Sequence, residues 1–233
     1  MKRIGIIAGL GPESTTDYYQ RIIKAFPSGR PDSENPEIII YSANLYELIR
    51  LMTAKDWPTL IDGLVSKVEA LHRAGADFAA IASNTPHLVF DAVRARSPIP
   101  LLSIVEEACR KAQSLGLKKP GLLGTLFTMQ SDFYRKVFEK HGITLVVPTE
   151  SEKQLIHQRL FSEIELGIFK DSTRQELLAV VQRMITSDGI DSVILGCTEL
   201  PLILTQDEFG IPFLNTAAIH VDRIVRYCLD KDA

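Results

Sequence analysis

Cysteine is scarce in this 233-residue chain and never close to another cysteine. Cys109, Cys197 and Cys228 lie far apart and form no C-x-x-C pair. Neither a zinc knuckle nor a redox pair is indicated, and an odd count of isolated thiols fits a reducing cytoplasm. The five histidines show no metal spacing, so no metal site is expected. Lys118-Lys119 is the sole adjacent lysine pair in a chain of net charge −3. With no long basic run, nucleic acid is excluded as the main partner. No segment approaches the ~20 apolar residues of a membrane span. The apolar stretch Ile4 to Leu10 is ended by Gly11-Pro12-Glu13, too early for a secretory leader, and reads as a first strand. No membrane partner is expected. There is no low-complexity tract and no heptad run. What remains is an ordinary globular composition, 45% hydrophobic and 24% charged, able to build a core without disulfides.

The chain resembles itself. Gly75-Ala76-Asp77-Phe78-Ala79-Ala80-Ile81-Ala82-Ser83-Asn84-Thr85 aligns with Gly189-Ile190-Asp191-Ser192-Val193-Ile194-Leu195-Gly196-Cys197-Thr198-Glu199 at a constant offset of 114. Gly5–Gly9 aligns with Gly121–Thr125, and Asp17-Tyr18-Tyr19 with Asp132-Phe133-Tyr134, at nearly that spacing. A duplicated unit is implied, with Ser83 and Cys197 related by pseudo-twofold symmetry. Two such groups facing one cleft would suit a reaction that takes a proton from one side of a carbon and returns it on the other.

Short β-rich runs alternate with helical periodicity. Strands are expected at Ile4–Ala8, Ile38–Ser42, Phe78–Ala82, Pro100–Ser103, Gly121–Gly124, Thr144–Val147, Val193–Gly196 and Ile211–Leu214. Most are apolar on both faces, as strands covered by helices on both sides must be. Stripes such as Leu60, Leu64, Val68 and Leu71 mark the helices between them. The expected fold is α/β: two pseudo-symmetric domains, each a four-stranded parallel sheet flanked by helices. Residues 1–98 with 209–233 form the first domain and 99–208 the second, the chain crossing at Ser97-Pro98-Ile99-Pro100. A last helix, Thr216 to Leu229, should return to the first unit. Pro27 to Pro36 reads as a polar loop.

Parallel sheets bind ligands outside the carboxyl ends of their strands. Ser83, Cys197, Gly9-Leu10-Gly11, Asn44 and Thr125 all follow strands. Cys197 reads either as a buried strand-end cysteine or as a reactive thiol, and its repeat partner favours the second. A following helix N-terminus is expected to lower its pKa. Cys109 and Cys228 lie on apolar helical stripes and read as core. Ser83-Asn84-Thr85 also fits a plain helix cap, with His87 structural. Gly9-Leu10-Gly11-Pro12-Glu13-Ser14 lacks the third glycine of a dinucleotide loop. It reads as a turn before a helix capped by Ser14, Thr15 or Thr16, able to offer N–H groups to a carboxylate. Thr125 and Thr128 hold a polar group or cap a helix. Arg50 is a candidate for a substrate carboxylate.

These motifs together resemble the aspartate/glutamate racemase family, nearly end to end. The likeness lies in Ile4 to Thr15, Asn84-Thr85-Pro86-His87, Leu123-Gly124-Thr125, Gly196-Cys197-Thr198-Glu199-Leu200, and Thr216 to His220. It implies a two-domain fold, no pyridoxal phosphate or other cofactor, and two cysteines at the domain interface as the two bases. Here Ser83 stands where the first cysteine is usual. A second departure is Glu163-Ile164-Glu165-Leu166-Gly167, where members taking acidic substrates are expected to offer basic residues. That leaves Arg50 and Lys170.

The expected activity is cofactor-independent racemisation of an amino acid, aspartate or glutamate, with Cys197 as base and Ser83 in the place of the second cysteine. Leu10, Asn44, Arg50, Asn84, Thr85, Thr125, Thr128 and Thr198 would bind the substrate. The alternatives are a single-cysteine decarboxylase or isomerase of small dicarboxylic acids, and a non-catalytic carboxylate binder. A homodimer is expected.

Overall fold

The structure, a computed structural model, describes residues 1–26 and 34–231, so most of the loop expected at 27–36 lies outside the described residues. The chain divides into two compact units, Met1–Ile104 with His220–Ala233, and Val105–Ile219.

In the first unit the order is β1 (Ile4–Ala8), α1 (Pro12–Lys24), β2 (Ile38–Ser42), α2 (Leu45–Thr53), α3 (Trp57–Arg73), β3 (Phe78–Ile81), a 3-10 turn (Thr85–Val89), α4 (Phe90–Arg96) and β4 (Leu101–Leu102). The sheet is parallel, ordered β2-β1-β3-β4, with Ile4 beside Ile38 and Phe78. β1 and β3 are wholly buried, as strands covered on both faces must be. β2 departs from that pattern: it is an edge strand whose Ile40 and Tyr41 are exposed.

α5 (Ile104–Ser114) leads into the second unit, which holds β5 (Pro120–Gly124), α6 (Leu126–Gln130), α7 (Phe133–Glu139), α8 (Glu150–Ser162), a 3-10 turn (Ile164–Leu166), α9 (Asp171–Arg183), β6 (Ser192–Gly196), α10 (Leu200–Ile203), β7 (Phe213–Asn215) and the start of α11 (Thr216–Cys228). Its parallel sheet is ordered β5-β6-β7 and has three strands, not the four expected. The run Thr144–Val147 makes one parallel bridge, Val146 to Gly121. Thr144 and Val146 N–H groups donate to the Lys118 and Pro120 carbonyls, each at 2.9 Å, and Leu122 N–H donates to the Val146 carbonyl at 2.8 Å. The next donor along that ladder is Pro148, which has no N–H, so the pairing stops after one bridge.

The unit boundaries differ from those expected at residues 98 and 208. β4 pairs with β3 and stays with the first sheet, while β7 pairs with β6 and stays with the second. Prolines 98 and 100 end α4 but lead straight into β4. From His220 onward α11 belongs to the first unit. There Tyr227 packs edge-on against Phe78, with ring centroids 4.9 Å apart.

The repeated residues do the same work in each unit. Gly75 and Gly189 both take positive φ, 100° and 66°, ending the preceding helical segment. Two residues on, Asp77 accepts the Arg3 N–H at 2.6 Å and Asp191 accepts those of Lys118 and Lys119 at 2.6 and 2.9 Å. Each aspartate thus ties the entry of one central strand to the entry of its neighbour. Among the described residues no helix is long and apolar enough to cross a membrane.

Candidate active site

In the second unit the site begins where β5 and β6 end. Gly124 and Gly196 are register partners. A Cβ on Gly196 would lie 2.6 Å from Leu122 Cδ1 and 2.8 Å from the Leu123 carbonyl oxygen. The missing side chains let the two strand ends close up beneath Thr128. Thr125 caps α6, its hydroxyl accepting from Thr128 N at 3.3 Å and sharing a 3.1 Å bond with the Thr128 hydroxyl. Both are buried. Leu126 N–H donates to His157 Nδ1 at 3.3 Å.

Cys197 follows β6 directly and is 6% exposed. Its Sγ–H donates to Glu199 Oε2 at 3.1 Å, and the Thr198 hydroxyl donates to the same oxygen at 2.9 Å. The expected lowering of the thiol pKa is not what this surrounding produces. Burial first, then the charges of Glu199 and Glu165, push Cys197 well above the usual thiol range. α10 offers little opposing field, since it is a single turn, Leu200–Ile203. The resting group is therefore a thiol with a carboxylate waiting on its proton.

Glu165 joins this group from the 3-10 turn that Gly167 closes at φ 73°. Burial and then the nearby Glu199 push its carboxyl up to about 8. Ligand atoms of Glu165, Cys197 and Glu199 lie within 4.8 Å of one another, the one group among the described residues that could hold a metal ion. Tyr134, also buried here, has its hydroxyl pushed above the usual range by burial and then by Cys197. Lys170, a candidate for a substrate carboxylate, is paired with Glu163 at 3.1 Å, and Arg159 reaches the same oxygen at 2.9 Å. Cys109 and Cys228 are buried free thiols. Their Sγ atoms face the carbonyls of Val137 and Lys2, at 4.0 and 3.0 Å.

In the first unit Ser83 follows β3, half-buried, with Asn84 and Thr85 buried beside it. His87 stands one turn on, its Nδ1 3.0 Å from the Ser83 carbonyl oxygen. That bond assigns the proton to Nδ1, so Nε2 carries the lone pair. Burial first and then nearby His220 push His87 down to about 3, and it is stacked on Phe90. His220 is fixed by the Tyr18 hydroxyl at Nδ1, 2.9 Å, and by the Leu102 carbonyl at Nε2, 3.2 Å. Leu10 is buried after Gly9, whose φ of 73° puts it where a Cβ would meet Ser42 and Ala43. The cap expected from Ser14, Thr15 or Thr16 is absent. Gly11 is the N-cap of α1, and the Ser14 and Thr15 hydroxyls donate back to its carbonyl. Asn44 is occupied as the cap of α2, accepting from Tyr46 and Glu47 N–H at 3.1 and 3.4 Å, and Arg50 is exposed on that helix.

Sequence reasoning named Glu199 only within the repeat and the Gly196–Leu200 motif, and read Glu165 only as a missing cation. Adjacency to the thiol was the available signal for Glu199. For Glu165, 32 residues from Cys197 in sequence, only the fold supplies it.

The family model described as Asp/Glu/Hydantoin racemase matches residues 7–224. The broad specificity amino-acid racemase RacX of Bacillus subtilis (strain 168) is 28% identical over 226 residues, covering 92% of this chain and 93% of its own. The structure of an aspartate racemase homologue from Pyrococcus horikoshii OT3 superposes with a TM-score of 0.82 at 36% identity, covering 98% of this chain and all of that one. The aspartate racemase of Picrophilus torridus, at 18% identity, shares the fold with a TM-score of 0.77 over 98% of this chain and 94% of its own. With a family model spanning nearly the whole sequence, the chain belongs to the Asp/Glu/Hydantoin racemase family, whose named relatives here are amino-acid racemases, that is, isomerases.

Proposed function

We propose that this chain racemises an amino acid without a cofactor, with Cys197 as the base on Cα. The observation that carries the reading is the buried thiol donating to Glu199 at 3.1 Å. A thiol held well above its usual pKa is a poor base alone. Beside a carboxylate that can accept its proton, it becomes thiolate as substrate binds. The thiolate takes the Cα proton and forms an S–H bond, leaving the electron pair on a planar carbanion. In this reading the Thr198 N–H would hold that charge, with Thr125 and Thr128 shaping the second unit's part of the site, and Asn84, Thr85 and Leu10 are the residues of the first unit assigned to substrate. Asn44 and Arg50 keep the outer end of the substrate. Ser83, or a water it holds, returns a proton to the opposite face. Its hydroxyl is a far weaker acid than a thiol, so inversion should be slow or one-sided. A homodimer in a reducing cytoplasm suits the three free cysteines and the exposed Ile40 and Tyr41 on β2.

The test is proton exchange at Cα in heavy water, started from each pure enantiomer and read by NMR and chiral chromatography. Exchange with inversion, abolished by Cys197→Ala, is the expected result. Exchange without inversion means one working base. Release of carbon dioxide would instead make the protein a decarboxylase. No exchange with any amino acid would leave a carboxylate binder.

A further inference from the structure

The repeat that sets Ser83 on Cys197 also sets Pro86 on Leu200 and His87 on Pro201. In the second unit the Leu200 N–H donates to the Cys197 carbonyl at 3.1 Å. That bond fixes the peptide leaving Cys197. The first unit cannot make it, because the equivalent donor is Pro86, which has no N–H. The following N–H, that of His87, is committed to the Asn84 carbonyl at 2.9 Å. The Ser83 carbonyl instead accepts the His87 Nδ1–H at 3.0 Å. A side chain stands where the other unit uses backbone.

The ring is built into this place. It is buried and stacked on Phe90, with centroids 4.6 Å apart and planes within 10°. Burial keeps it neutral, pushing it down to about 3. Its Nε2 is buried with no hydrogen-bond partner among the described residues. An unpaired buried acceptor is unfavourable, so the far edge of the ring does not hold it there. Nδ1 is the polar contact that orients it.

A peptide unit is planar, so the direction of the Ser83 carbonyl also sets that of the Asn84 N–H and the point from which the Ser83 side chain starts. Resting on the racemase reading above, we propose that His87 is a positioning residue for Ser83. Its Nδ1–H supplies the hydrogen bond that Pro86 lacks and holds the Ser83–Asn84 peptide, as the Leu200 N–H holds the Cys197–Thr198 peptide.

The test separates the donor from the ring. An asparagine amide nitrogen falls where Nδ1 lies, and a glutamine amide nitrogen where Nε2 lies. Both variants lose the stack on Phe90, so His87→Asn and His87→Gln share that cost and differ in the bond. Cα exchange and inversion are followed in heavy water with the full chain, from the enantiomer that Cys197 deprotonates. His87→Gln should lower inversion about tenfold while exchange falls less than about threefold, since Cys197 serves exchange and Ser83 serves the return. His87→Asn should recover most of the inversion. Pro86→Ala restores a backbone N–H, so the double variant Pro86→Ala/His87→Gln should recover it too. An equal fall in exchange and inversion would overturn the proposal with the racemase reading intact, and so would the lack of recovery in both rescues. A readout without turnover keeps the two readings separate. In a Ser83→Cys background, alkylation of the new thiol by iodoacetamide, followed by peptide mapping, reports its placement. The rate should change by at least about threefold with His87→Gln and return with His87→Asn and with the double variant. Equal rates in all of these proteins defeat the proposal even where no amino acid is exchanged.

Discussion

A thiol bonded to a carboxylate is a different instrument from a thiolate at a helix end. Cys197 is buried, protonated at rest, and polarised by Glu199. Replacing Glu199 by Gln keeps the shape and removes the proton acceptor. Positioned acid–base partners contribute roughly 10²–10⁴-fold, so kcat should fall by that order, with Glu199→Asp recovering part of it. Equal rates in Glu199→Gln and the unaltered protein would show that the thiol loses its proton by another route. Ser83→Cys addresses the other face. A thiol near pKa ~8.5 replaces a hydroxyl, and inversion should become faster and more even from both enantiomers, as measured by circular dichroism. No gain with any amino acid would remove Ser83 as the weak step. At this scale the strand-end placement of Cys197, Thr198 and Thr125 was legible because it and an internal repeat can be read from spacing. Glu165 was not, because what brings it to Cys197 is a 3-10 turn followed by the whole of α9 and β6.

Strand ends that approach closely need residues without side chains at the crossing. Gly196→Ala would force a Cβ to within 3 Å of Leu122 and the Leu123 backbone. Overpacking of this kind costs about 1–3 kcal/mol, and the shift should also displace Cys197, its neighbour. The expected result is a lower Tm and lower activity together. Full activity at unchanged Tm would mean that the sheet yields there without cost. Asp191→Ala tests the other device, the tie between the entries of β5 and β6. Losing an ionised acceptor from two N–H groups should cost about 1.5–3 kcal/mol, seen as an earlier urea midpoint. The repeat made these aspartates visible as a pattern but not as a mechanism. Hydrophobic runs located seven strands within a residue or two. The eighth, Thr144–Val147, has the composition of a strand, yet Pro148 removes the hydrogen bond that would have continued it.

Across the molecule, pH acts on two buried histidines of the first unit. His87 and His220 are pushed down to about 3 and about 4, chiefly by burial. An unfolded chain protonates both near the ordinary value of ~6.5. Above that pH the histidines are neutral in both states and add no slope, whereas Glu165, pushed up to about 8, holds its proton only in the folded state, so its contribution grows as pH falls from 8. Below it the unfolded state binds protons that the folded state refuses, so stability falls as pH drops toward 4. The slope is up to about 1.4 kcal/mol per pH unit for each histidine. Thermal melts from pH 8 to 4.5 should show Tm rising toward about pH 6.5 as Glu165 takes its proton, then declining where the two histidines outweigh it. His220→Gln should flatten part of that decline, and a Tm that goes on rising below about pH 6.5 would contradict the burial of both rings. The two-unit plan was legible in outline from strand–helix alternation. Its boundaries were not, because sheet membership is decided by which strand β4 and β7 pair with, a contact that prolines near the junction do not reveal.

The two units are also unequal in time. The second is one continuous stretch, Val105–Ile219, whereas the first waits for His220–Ala233. On the ribosome, where chains emerge at ~5–20 residues per second, the second unit has its full sequence before the first does. Until those last residues emerge, Tyr18 lacks its His220 partner and Phe78 lacks Tyr227. A nascent chain stalled short of residue 220 would expose a protease-sensitive Met1–Ile104 segment while the second unit is already complete. The two units of like design thus have an order of completion that is the reverse of the order in which they begin.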